Sequence, residues 1–127
     1  MLTVLPIQSK DEQRELCQIC GVEYNADAFA YKADDGDFIG VCQFTFKNDC
    51  GYIENLSYAP NMDDWEAMII MLRATMSFMY RCGLKSSIIK EGATTDRLLK
   101  MSGYIKNENG DYFLDIYKFY NSSCSER

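Results

Sequence analysis

At 127 residues the chain has room for one hydrophobic core, and a domain of that size buries about two thirds of its unfolded surface. Its 47% hydrophobic and 25% charged content is that of an ordinary globular protein and excludes a disordered or fibrous one. A net charge of -6 argues against a nucleic-acid partner, because phosphate binding needs Lys and Arg to replace released counterions. No basic amphipathic helix is present to meet a membrane surface.

Residues 1–8 carry no basic leader and run into Asp11-Glu12 before an apolar signal region can develop, so the expected compartment is the cytoplasm. There the six cysteines stay reduced and act as small apolar residues. Cys17-x-x-Cys20 has the spacing of a redox pair or half a zinc site. However, Cys42 and Cys50 are too far apart to complete a site, and the chain has no histidine, so no metal is expected.

Residues 2–7 read as a first strand, with Pro6 suited to an edge or an end. Ser9 and Glu12 then form a capping box for a short amphipathic helix that stops near Gly21. Residues 28–33 and 38–47 flank the turn Asp34-Asp35-Gly36-Asp37 and pair as an antiparallel hairpin. Residues 52–58 extend this to a three-strand meander, with Val41, Gln43 and Thr45 facing opposite to Phe44 and Phe46.

From Asp63 to Cys82, apolar residues recur at helical spacing and spill onto other faces, predicting a long, mostly buried helix ended by Gly83. Glu66 and Arg73 rule it out as a membrane span. Residues 86–89 form a short strand, parallel to residues 52–58 if the crossover is right-handed. Thr94-Thr95-Asp96 caps a shorter helix that closes at Ser102-Gly103. Residues 104–106 and 112–120 flank Asn109-Gly110, which predicts a terminal type I′ hairpin. One domain is expected over residues 1–120, followed by a polar tail over 121–127.

Two local patterns carry a family resemblance. The run from Tyr52 through Glu54 and Leu56 to Ala59-Pro60 is similar to a strand ending in "V-x-P". Leu98 with Ser102-Gly103-Tyr104 is similar to an "L-Y-E-K-x-G-F" ending. Set around an apolar helix and a short strand, they make the chain resemble the GNAT superfamily of N-acetyltransferases.

The resemblance implies an α+β fold: a mixed, mostly antiparallel sheet of six or seven strands, about three helices, and one long helix in a strand, helix, strand crossover. It also implies acetyl-CoA as cofactor and a small amine as acceptor. Leu56, Ser57 and Tyr58 would hold the thioester, and Asp63, Asp64 and Trp65 would stand at the pyrophosphate loop. Glu54 would be the general base.

Anions are held at helix N-termini by free backbone amides and the helix dipole. The family's Q/R-x-x-G-x-G/A loop serves that purpose, but residues 61–67 contain neither Gly nor Arg. Gly92 and Leu99 also replace the asparagine and tyrosine of the family's helix pattern. Three readings follow: an acetyltransferase acting on a small amine, a non-catalytic domain of that shape binding a small ligand or a protein, and a small self-associating structural protein, such as a homodimer, suggested by the aromatic and methionine content. Tyr58, Tyr104 and Tyr117 are candidates to line a shared cleft.

Overall fold

The computed structural model describes the backbone of residues 1–125 and the side chains of residues 1–121. In chain order the elements are β1 (Thr3–Pro6), α1 (Lys10–Cys20), β2 (Phe29–Asp34), β3 (Phe38–Lys47), β4 (Cys50–Tyr58) and α2 (Trp65–Arg81). They continue with β5 (Ser86–Ile89), α3 (Asp96–Ser102), β6 (Ile105–Lys106), β7 (Tyr112–Asp115) and α4 (Ile116–Ser125). The strands form one seven-stranded sheet in the order β1-β2-β3-β4-β5-β7-β6. Every neighbouring pair is antiparallel except β4 with β5, which the α2 crossover joins in parallel.

Local chemistry sets the helix ends. Ser9 accepts the Glu12 N–H at 3.2 Å, and Gly21, at φ 71°, closes α1. The box is not reciprocal, because the Glu12 carboxylate pairs instead with Lys32 on β2. Asp64 caps α2 by accepting the Ala67 N–H at 3.1 Å.

The main core lies between the sheet and α2. Met68, Met71, Leu72, Met76 and Met79 are fully buried there against Phe44, Ile53 and Leu56. Two glycines let the helix come close: a Cβ on Gly40 would meet Met68 Sδ at 2.6 Å, and one on Gly51 would meet Met79 Sδ at 2.5 Å. Ile70 and Tyr80 face outward, so one face of α2 stays in solvent. No helix among the described residues is long and apolar enough to cross a membrane.

The C-terminal region differs from the sequence reading. A type I′ turn needs two positive φ angles, and only Gly110, at 88°, supplies one. The Asn107 side chain organises this longer loop by accepting the N–H groups of Asn109 and Asp111. The ladder of β7 stops at Asp115 rather than at Tyr120. There the Asp115 carboxylate accepts the Lys118 N–H at 2.9 Å, and the Ile116 N–H leaves the sheet for the carbonyl of Lys85. A helix therefore runs through Ser125, across residues read as strand and then polar tail. The last two residues of that tail lie outside the described residues.

Candidate functional site

A β-bulge determines where Glu54 points. Gln43 pairs with Asn55 and Phe44 with Ile53, so Glu54 has no partner on β3. The extra residue breaks the alternation of β4. Ile53 and Leu56 both enter the core, while the consecutive Glu54 and Asn55 both line a cavity of about 490 Å³. Residues 22–26, between α1 and β2, form its opposite wall, and Gln43, Ser57, Gly92 and Ala93 complete the lining.

The cavity wall is a hydrogen-bonded chain of amides. Gln13, buried on α1, donates to Gln43 Oε1 at 2.9 Å, and the Asn25 N–H donates to the same oxygen at 3.0 Å. Gln43 Nε2 donates to the Glu23 carbonyl and to Asn55 Oδ1, and Asn55 Nδ2 donates to Ser57 Oγ at 3.2 Å. No described buried side-chain N or O atom lacks a partner. Such a network fixes the loop to the sheet, since breaking one link strands several buried groups. Gln13, Gln43 and Asn55 are site residues that sequence reasoning missed. The available signal was a glutamine in the middle of the apolar run of β3.

Glu54 lies at the edge of this network, its side chain 20% exposed. One carboxylate oxygen accepts Thr45 Oγ1 at 3.0 Å, and Lys90 Nζ stands 3.0 Å from one oxygen and 2.9 Å from the other.

The residues proposed for cofactor binding divide into two groups. Ser57 lines the cavity, whereas the Leu56 side chain is core. Tyr58, Asp63, Asp64 and Trp65 gather where β4 leads into α2. Burial raises the Tyr58 pKa, the Arg97 charge lowers it, and the Asp63 and Asp64 charges raise it further. The Arg97 guanidinium lies 5.7 Å over the Trp65 ring.

Tyr58, Tyr104 and Tyr117 do not share a cleft. Tyr104 is buried and donates to Ser87 Oγ at 2.8 Å, while Tyr117 is exposed on α4. None of the three lines the cavity.

The cysteine pair is structural in its surroundings. Burial pushes the Cys17 thiol up to about 11, and burial followed by the neighbouring Cys17 does the same for Cys20. Among the described residues, no three His, Cys, Asp or Glu side chains gather as a metal site would require.

A pantetheine or thioester group lying along β4 needs backbone groups free to bond it. Leu56 has none: its N–H donates to the Ala93 carbonyl at 2.9 Å, and its carbonyl accepts Thr94 Oγ1 at 2.6 Å. The strands do separate past the Ile53–Ile89 pair, but residues 93 and 94 close the gap. At the start of α2, the Ala67 amide is already bonded to Asp64, and the flanking carboxylates oppose an anion. The Leu56 backbone and the Ala67 amide are thus already engaged within the chain.

No protein-family model and no curated protein matches the sequence. Solved structures do match in shape. Spermidine N-acetyltransferase from Vibrio cholerae aligns over 96% of this chain and 98% of its own, with TM-score 0.70 and 10% identity. PaiA N-acetyltransferase from Thermoplasma acidophilum, in complex with coenzyme A, aligns over 87% and 96%, with TM-score 0.62 and 9% identity. IAA acetyltransferase from Bacillus cereus aligns over 70% of this chain and 65% of its own, with TM-score 0.59 and 17% identity. The chain has the GNAT acetyltransferase fold.

Proposed function

We propose that this chain is a ligand-binding domain built on the acetyltransferase fold, taking a small primary amine in the cavity beside Glu54 without transferring an acetyl group to it. The observation that carries this reading is the double engagement of Leu56 by residues 93 and 94. The protein's own carbonyl and hydroxyl engage the Leu56 groups that an acyl donor lying along β4 would use. The cavity shares Ala93 with that closure and offers a carboxylate, a hydroxyl and amides to a cationic guest. Ammonium groups fit this chemistry, and the overall charge of -6 favours their approach.

Acetyl transfer from acetyl-CoA to the same amine is the second reading, favoured by the likeness to enzymes of that reaction. It requires residues 93 and 94 to leave Leu56. Calorimetric titration with acetyl-CoA and, separately, with a panel of primary amines distinguishes the two. We expect heat from amines and none from millimolar acetyl-CoA. Acetyl-CoA binding with turnover would replace the first reading by the second.

A further inference from the structure

We infer that Lys90 is a tethered competitor for Glu54: from outside the cavity lining its ammonium neutralises the carboxylate that a ligand ammonium needs, and it must swing away for the ligand to bind. This rests on reading the cavity as an amine site. Lys90 follows β5 directly, and its N–H donates to the Ile53 carbonyl at 3.2 Å, which places it beside Glu54 across the parallel pair. Its ammonium contacts both oxygens of a carboxylate that lines the cavity.

An ordinary cross-strand ion pair has the same geometry, but the surroundings differ at its two ends. Glu54 is held from a second side by Thr45 and is only 20% exposed, whereas the Lys90 side chain is 49% exposed. The carboxylate is therefore fixed and its cation is free to leave. Exposed pairs of this kind are weak, so displacement by a free ammonium is inexpensive. A lysine side chain ends as an alkylammonium, which makes it a chemical stand-in for the class of ligand we assign. Tethering also confers selectivity, because only guests with further cavity contacts outcompete a cation that is always at hand.

The probe is n-butylammonium chloride, titrated into 15N-labelled protein and followed at the amides of residues 23–26, 54 and 55. Lys90→Met is expected to bind it about fivefold more tightly than the natural chain, the effect of removing a weak competing pair. Lys90→Arg, which restores a cation, is expected to return affinity to the natural value, and Glu54→Gln to lose binding. A Lys90→Met affinity equal to the natural one, with binding still lost in Glu54→Gln, overturns the role of Lys90 and leaves the amine site standing. Absence of binding in both the natural chain and Lys90→Met overturns the amine site and the competitor together. Melting curves for all three variants separate these outcomes from unfolding.

Discussion

On one face of the sheet, α2 lays Met68, Met71, Leu72, Met76 and Met79 against Phe44, Ile53 and Leu56, with few buried polar groups such as Thr75 and the Tyr104–Ser87 pair. On the other face, α1 buries a smaller cluster of Cys17, Ala30 and Val41. Next to it stands the amide chain Gln13, Gln43, Asn55, Ser57 at the cavity wall. The apolar core and the amide network thus occupy opposite sides of β3 and β4. Flexible methionines tolerate imperfect fit, whereas an amide chain holds one loop in one place. A face built for volume and a face built for direction should respond differently to damage.

The largest expected effect is on the apolar face. Phe44→Ala should cost about 3–5 kcal/mol in urea denaturation, because a wholly buried ring leaves a void. A loss below about 1 kcal/mol would show that the methionines close over the gap.

Alkaline pH acts next, and on both faces. Burial pushes Cys42 up to about 12 and Cys17 up to about 11, from ordinary values of 9.0. These folded-state values lie above the unfolded ones. The stability they contribute is complete below about pH 9 and is lost as pH rises through 11 and 12. The melting temperature should fall from pH 8 to pH 11, and a Cys17→Ala, Cys42→Ala double variant should show a shallower fall. Parallel curves would remove the thiols from the account.

Gln43→Leu tests the polar face. It strands Gln13, the Asn25 amide and Asn55, so a loss of about 1–3 kcal/mol is expected. Faster hydrogen exchange at residues 22–26 should accompany it, which a loss of equal size on the other face would not produce. Smallest is Asp64→Ala, expected to cost about 1 kcal/mol through the lost cap of α2. Its cavity should stay intact in the amine titration, since Asp64 does not line it.

The order of elements was legible in the sequence because capping residues, glycine stops and hydrophobic period agree along most of the chain. Ser9, Gly21 and Gly83 mark ends that the structure keeps. The stretch after Asp115 was misread as strand because Ile116, Tyr117, Phe119 and Tyr120 have strand-favouring side chains. What decides for a helix there is the long-range contact of the Ile116 amide with Lys85 and the burial of Ile116. Asp115 as an N-cap was the local clue.

The site was less legible. Glu54 was visible as a carboxylate on a strand, but the bulge that turns it toward the cavity is a property of two strands in register. The closure of Leu56 by residues 93 and 94 joins positions far apart in the chain and carries no motif. The absence of glycine and arginine from residues 61–67, by contrast, needed no structure to be seen.

Gly40 bears on how this cavity can change. A methyl group there would meet the Ser57 carbonyl at 2.6 Å, and a carbonyl in a paired strand cannot step aside as a methionine sulfur can. A side chain at Gly40 would therefore press on the β4 backbone behind the cavity, while the wall of residues 22–26 is held by side-chain amide bonds and by the packing of Val22 and Tyr24. Variants selected for a larger or smaller guest should accumulate changes in residues 22–26 and at Gln13 and Gln43, and leave Gly40 untouched.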